Sequence, residues 1–266
     1  MQTEASGRGA VIGSDEYREL QDLIYETSGM YFSWSRHQYI LQKVGLHMSE
    51  MGVDDFAGYM DALRHHPAHM TELFNQITIN ETFFYRDKPQ IDAFSRHLVP
   101  QVIRSGSPLR VLSAGCSSGE ELYTLSMEMQ LHHPGLQLDF LGVDLSARVL
   151  GMAREGIYGP YALRQVPETA RSRFFAPLEG ERWQVGPTLR QGVRFESMNI
   201  LQLEDHVQAD SLDVVFCRYV MIYFDQRVKE KVVASLFRLL RTGGYLILGN
   251  AESLFGVSDA FRLYHY

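Results

Sequence analysis

Cysteine is nearly absent from the 266 residues: Cys116 and Cys217 stand alone and far apart. Two such residues build no disulfide framework. With no CxxC and no HExxH, no metal site is expected. No uncharged apolar run reaches the roughly 18 residues a membrane-spanning helix needs. The opening MQTEASGRGAVIGSDEY lacks the apolar heart of a secretory signal. Positive charge is not in excess either. With 25 Lys and Arg against 32 Asp and Glu the formal charge is -7, the wrong sign for binding that runs on phosphate neutralisation. These absences point to a cytoplasmic protein, expected as a monomer, that neither inserts into a membrane nor binds nucleic acid. Core-forming material is plentiful: 45% of residues are hydrophobic and 12% aromatic, in a length that suits one or two domains.

The first third has the rhythm of short amphipathic helices. Ser14 is placed to cap a helix with Tyr17, Leu20, Leu23 and Ile24 on one face and Gly29 at its end. Ser35 opens a second, carrying Tyr39, Ile40, Val44 and Met48 toward Gly52. Asp54 caps a third, with Phe56, Tyr59, Met60 and Leu63 inward and Pro67 beyond its end; a fourth runs from Met70 to Ile79. Residues 88–104 read as a linking helix, closed by the turn Ser105-Gly106-Ser107-Pro108.

Beyond that turn, short apolar runs alternate with amphipathic helices. Strands are expected at Leu109–Ala114, Leu136–Val143, Leu212–Cys217 and Tyr245–Leu248, with helices at Gly119–His133, Ser146–Glu155 and Gln226–Arg241. Such alternation implies a Rossmann-like α/β domain with a parallel sheet. One stretch, residues 173–196, breaks the pattern. Punctuated by Gly180, Gly186, Pro187 and Gly192, it reads as a small antiparallel insertion with strands Arg182–Val185 and Val193–Phe195.

Four stretches carry candidate chemistry. Arg110–Glu120 is a strand, a glycine turn and a helix start, the place where α/β sheets bind ligands against exposed backbone N–H groups. Gly115 and Gly119 permit close approach, but Ser113 occupies the first position of a GxGxxG, so this is no dinucleotide fingerprint. Asp144 ends the second strand roughly 25 residues on, where a carboxylate can accept from both ribose hydroxyls of an adenosine; it can also cap the following helix. Glu120 can face an ammonium at the ligand's amino-acid end, or simply complement the helix dipole. The third stretch, Asp213–Asp225, runs from a buried strand into a polar and aromatic loop at the same edge, where Tyr223 is a chemical candidate and Phe224 a packing anchor. The fourth, Ile79–Asp87, is a polar loop at the junction of helical and α/β segments, placed to close over a ligand.

Together these stretches resemble the chemotaxis receptor methyltransferase (CheR) family. Its N-x-T stretch, continuing through an F-F pair to Arg, is similar to Asn80–Arg86, its G-x-x-x-G-E-E turn to Gly115–Glu121, its strand-end Asp to Asp144, its N-(L/I) pair to Asn199-Ile200, and its C-R-N-V-M-I-Y-F to Cys217–Phe224. Arg154–Tyr158 and Gly249–Leu254 fit as well, and the likeness runs in order over nearly the whole chain.

The resemblance implies a helical N-terminal domain (1–87), a linker helix (88–108) and an S-adenosylmethionine (AdoMet) domain (109–266) carrying a β-subdomain near 173–196. It implies transfer of a methyl group to glutamate side chains of chemotaxis receptors. The alternatives are another protein or small molecule as substrate, or a catalytically silent AdoMet-binding adaptor. By motif position the cofactor contacts are Asn80, Thr82, Arg86, Gly115, Glu120, Asp144, Asn199, Ile200, Arg218 and Tyr219, with Arg86 and Tyr223 flanking the transferred methyl.

Departures from the family are Tyr219, where Asn is usual, Asn250, where His is common, and His47, which replaces an arginine. The family's receptor-facing basic helix corresponds to Arg36, Lys43 and His47, spaced to share one helix face. Some members also hold a receptor C-terminal pentapeptide as an added strand on the β-subdomain. Here the segment Phe175–Val185 has one glycine in its loop, and pentapeptide independence is expected.

Overall fold

The computed structural model describes residues 12–79 and 81–264. The chain divides into two compact units, Met1–Asn80 and Glu81–Tyr266. The described part of the first unit is all helical: α1 (Ser14–Ser28), α2 (His37–Met51), α3 (Phe56–His65) and α4 (Pro67–Ile77). Tyr17, Leu20, Ile24, Ile40, Val44, Tyr59, Met60, Leu73 and Ile77 are buried between them, as the apolar periodicity requires.

The helix ends differ from expectation by a residue or a role. Gly13, not Ser14, is the N-cap of α1, and its N–H donates to the Glu16 carboxylate at 2.7 Å. Asp55 caps α3 in place of Asp54, accepting from the Gly58 N–H at 2.8 Å, because only the residue directly before Phe56 reaches the orphan donors. Pro67 stops α3 and also starts α4, where its missing N–H costs nothing. α2 begins at His37, after a 3-10 turn Trp34–Arg36.

His47 does not share an exposed basic face with Arg36 and Lys43. It is buried, with Nδ1 2.9 Å from the Tyr59 hydroxyl, whereas Arg36 is exposed and Lys43 half-buried. The imidazole lies at the border of the Ile40–Val44–Met48 stripe and finds a polar partner inside. Long arginine and lysine side chains keep their heads in water.

In the second unit, α5 (Lys88–Ala93) passes through a π-helical turn, Phe94–Leu98, into α6 (Val99–Val102). The succession β1 (Leu109–Ala114), α7 (Glu120–His132), β2 (Leu138–Asp144) and α8 (Ala147–Glu155) follows. After an insertion come β6 (Val193–Ser197), β7 (Leu212–Cys217), α12 (Gln226–Leu239) and β8 (Leu240–Leu248). The insertion itself holds β3 (Ile157–Tyr158), α9 (Pro160–Leu163), α10 (Glu168–Phe174), β4 (Phe175–Leu178), β5 (Arg182–Val185) and α11 (Pro187–Arg190). The main sheet is parallel with order β6-β2-β1-β7-β8; the small one is antiparallel with order β3-β5-β4.

This corrects the expected membership of the insertion. Val193–Phe195 belongs to the main sheet, with Phe140 beside Val193 and Asp144 beside Ser197. Gly192, at φ 75°, lets the chain pass so close to the Leu138 carbonyl that a Cβ there would stand 2.2 Å from its oxygen. The third strand of the small sheet is Ile157–Tyr158 instead, paired with Gln184 and Trp183.

At the N-terminal edge of the sheet Asp213, almost wholly buried, accepts from Arg241 Nε at 2.5 Å, Arg104 Nη2 at 3.3 Å and the Arg110 N–H at 2.8 Å. It staples β1, β7, the linking segment and the start of β8, and leaves the opposite edge free for chemistry. Among the described residues no helix is long and apolar enough to cross a membrane.

Burial holds the His47 imidazole below its ordinary range; His69 pushes the same way, while Glu50 and Glu72 oppose it. The unfolded chain therefore takes up this proton first, near pH ~6.5. The stability involved is present above that pH and lost as pH falls through the folded value. Each unit has one tryptophan, Trp34 in the first and Trp183 in the second. In a Trp183→Phe background, the urea midpoint followed by Trp34 should fall more steeply between pH 7.5 and 5 with His47 than with His47→Gln. Parallel pH profiles would remove His47 from the account.

Candidate active site

In the strand order β6-β2-β1-β7-β8 the chain winds outward one way from β1 and the other way from β7. The crevice between their carboxyl ends is the switch point where such sheets bind ligands. Gly115 opens the turn after β1 at φ 82°, a region closed to most side chains, and its N–H and that of Cys116 donate to the Val143 carbonyl. A Cβ at Gly115 would lie 2.3 Å from Val220 Cγ2, so the loop after β7 rests on this turn.

Two carboxylates line the edge with different partners. Asp144, at the end of β2, accepts from the Ser117 N–H at 2.9 Å and the Ser146 N–H at 3.0 Å. The cap of α8 is Ser146, whose hydroxyl accepts from Val149 N–H, so Asp144 is not spent on that helix. Burial raises its pKa, and the backbone donors of Ser146, Ser117 and Leu145 hold it back. Three backbone donors on a carboxylate with about four lone-pair sites leave acceptor capacity for a further donor.

Glu120, in the first turn of α7, is 4% exposed. Its side-chain partner is the Ser118 hydroxyl, at 3.0 and 2.8 Å, and no cationic side chain among the described residues pairs with it. Burial pushes its carboxyl up to about 7, against the pull of its backbone and Ser118 hydrogen bonds. A buried carboxylate so poised is incomplete without a cation.

The remaining candidates converge through one ionic cluster. Arg218 gives Nη1 to Glu121 at 2.9 Å and Nη2 to Asp87 at 2.5 Å and to the Arg86 carbonyl at 2.9 Å. Burial alone would lower its pKa, but Glu121 and Asp87 outweigh that and raise it. Glu121 also accepts from the Ser113 hydroxyl at 2.7 Å. Asp87 accepts from the Tyr219 hydroxyl at 2.5 Å and from Asn250 Nδ2 at 2.8 Å. The segment 81–87 is thereby fixed to the ends of β1 and β7. Its other side is anchored by Tyr161 donating to Glu81 at 2.6 Å and by the Phe84 N–H on the Ala162 carbonyl. Arg86, half-buried, donates to the Glu81 carbonyl and stacks on the Tyr219 ring, 3.8 Å from its centroid.

Thr82 lies half-buried in the same segment. Asn199 follows β6, capping a 3-10 turn through the Leu201 N–H at 3.0 Å, with Ile200 buried beside it. Tyr223 closes the 3-10 turn Met221–Tyr223 and is nearly buried. Asn80 falls outside the described residues.

Two of the expected contact residues thus already have partners within the protein: Arg218 through both terminal nitrogens, with its Nε unpartnered among the described residues, and Tyr219 through its N–H. The latter donates to Glu252 Oε2 at 2.7 Å. Glu252 also accepts from the Met221 N–H at 2.8 Å and the Gly249 N–H at 2.9 Å, so one carboxylate shapes the whole loop after β7. Asp87, Glu121 and Glu252 were not singled out in the sequence. Each lies inside or beside a recognised motif, but their pairings join positions far apart in the chain.

Comparison with known proteins gives the family. The model for the CheR methyltransferase SAM-binding domain matches residues 80–266, and that for the CheR methyltransferase all-alpha domain matches residues 15–78. Chemotaxis protein methyltransferase 2 of Vibrio cholerae is 26% identical over 260 residues, covering 95% of this chain and 90% of that protein. Chemotaxis protein methyltransferase Cher2 of Pseudomonas putida is 28% identical, with 94% of each chain covered. A chemotaxis protein methyltransferase of Vibrio parahaemolyticus is 31% identical, covering 95% of this chain and 94% of its own. The chain belongs to the CheR methyltransferase family and is an S-adenosylmethionine-dependent methyltransferase of chemotaxis.

Proposed function

We propose that this enzyme forms methyl esters on glutamate side chains of chemotaxis receptors, with Arg86 and Tyr223 at the transferred methyl and AdoMet held along the carboxyl edge of the sheet. The observation that carries the binding mode is Glu120, a buried carboxylate without a cation, on the same edge as an Asp144 with acceptor capacity to spare. An amino-acid ammonium fits the first and ribose hydroxyls the second. Gly115 follows β1 and Asn199 and Ile200 follow β6 at the same edge; Thr82 and Asn80 are assigned with them on the family resemblance alone. Bound there, AdoMet supplies an activated methyl on a sulfonium whose departure leaves a neutral thioether.

The residues' own task is orientation. A glutamate with a pKa near ~4.3 is already a nucleophile at neutral pH, so no general base is needed. Arg86 offers a planar fork to the substrate carboxylate, and the Tyr223 hydroxyl orients it from the loop after β7. Alignment of this kind lowers a barrier by up to roughly 7–11 kcal/mol in ideal cases.

For docking, Arg36 in the turn before α2 and the exposed Tyr39, half-buried Lys43 and exposed Leu46 on α2 follow at helical spacing, with Lys43 over the Tyr39 ring. This mixed cationic and apolar strip is the surface that meets the receptor's acidic helices. His47 contributes nothing to it. The β-subdomain edge is closed to an added strand. Because the Gly186 N–H bonds the Phe174 carbonyl, Phe175 and Pro177 turn their backbone outward from β4. The Phe175 N–H is spent on the Arg171 carbonyl and Pro177 has none. The other edge strand, β3, is two residues long.

Three outcomes test this reading. Incubated with methyl-labelled AdoMet and receptor cytoplasmic fragments, the enzyme should place base-labile label on glutamate; label on any other residue type would refute the substrate assignment. Affinity for S-adenosylhomocysteine should weaken as pH falls from 8 to 6, because Glu120 must lose its proton to meet the ammonium; the limiting slope is tenfold per unit. Glu120→Gln should bind more weakly at pH 8 and flatten that profile, and calorimetry finding the same slope in both would reassign the carboxylate. Titration with a receptor C-terminal pentapeptide, followed by Trp183 fluorescence, should give no micromolar saturation, and saturable binding would show the β4 edge to be open.

A further inference from the structure

A guanidinium on a flexible chain keeps one plane only if something flat or charged fixes it. Arg86 has no carboxylate partner among the described residues. A single donated bond to the Glu81 carbonyl leaves its plane free to swing about that bond. What lies against it is the Tyr219 ring, centroid 3.8 Å from the guanidinium carbon.

The ring is held through its backbone, one edge and its hydroxyl. Tyr219 sits at φ 61°, an uncommon conformation for an aromatic residue, and its N–H is held by Glu252. Its Cδ1 and Cε1 lie against bare Gly249, where a Cβ would approach to 3.0 and 3.1 Å. Its hydroxyl donates to Asp87, itself fixed by Arg218 and Asn250. Burial, followed by the Asp87 bond, raises the phenol's pKa, so it stays a donor.

We infer that Tyr219 is a positioning residue, its ring the platform that sets the guanidinium plane of Arg86 for the substrate carboxylate. This rests on the reading of Arg86 as the group that meets the glutamate. The position thus serves Arg86 through its aromatic face rather than the cofactor through a polar side chain.

Tyr219→Phe keeps the ring and loses the Asp87 bond; Tyr219→Leu keeps much of the bulk and loses the ring. With receptor fragments, Phe should stay within about threefold of wild-type kcat, and Leu should fall about 5- to 20-fold, the range of a partly buried cation–π contact. S-adenosylhomocysteine affinity should move less than about twofold in both. If Leu does not fold, Tyr219→Met serves as the ringless variant and Tyr219→Trp should restore the rate. In an Arg86→Lys background, replacing the ring should cost little more, because the plane it fixes is gone. Equal losses for Phe and Leu, or the same Leu penalty in both backgrounds, would overturn the platform. A wild-type rate for Arg86→Lys alone would overturn the reading of Arg86 and the platform with it, a result distinct from any change at position 219.

Discussion

The active edge depends on one buried guanidinium. Arg218 bridges Glu121, from the start of α7, and Asp87, from the segment that carries Arg86. With its side chain 4% exposed, it can be ionised there only because two carboxylates and a carbonyl compensate it. Removing one partner of such a cluster leaves an uncompensated buried charge, at a cost of about 3–5 kcal/mol. The cluster joins the ends of β1 and β7, the two strands that define the switch point, to a loop outside the sheet. The segment that carries Thr82 and Arg86 is held beside these strand ends by it.

Around that fixed charge the edge keeps its remaining polar capacity unequal. Arg218 has carboxylates and a carbonyl on both terminal nitrogens, Asp144 is partly satisfied by backbone donors, and Glu120 has its backbone hydrogen bond and the Ser118 hydroxyl but no cation. A gradient of this kind suits a zwitterionic nucleoside ligand with hydroxyls at one end and an ammonium at the other. The opposite edge is built otherwise. Asp213 is closed by two arginines and a backbone N–H, which leaves stability there and no chemistry.

The differences between expectation and structure share one origin. Val193–Ser197 has the alternation of a strand, but alternation does not say which sheet a strand joins. Close passage of Gly192 past Leu138 sent it to the edge of β2. His47 has the spacing of a surface cation, yet the Tyr59 hydroxyl and the border of an apolar stripe drew it inside. In both cases a local pattern was compatible with two environments, and packing chose between them.

The sequence by itself determined the long helices and the β1, β2, β7 and β8 strands, the parallel α/β class, the glycine turn, Asp144 at its strand end and the family. All of these are written in neighbouring residues, through periodicity, turn chemistry and contiguous motifs. Tertiary structure alone decided that Asp87, Glu121 and Arg218 form one cluster, that Glu252 shapes the loop holding Tyr219 and Tyr223, and that Arg86 lies on the Tyr219 ring. Asp87 and Arg218 are far apart in the chain and meet only when the sheet brings the ends of β1 and β7 side by side. Charge pairing and ring stacking act over a few ångströms of space, and sequence spacing fixes such distances only within a single helix, strand or turn.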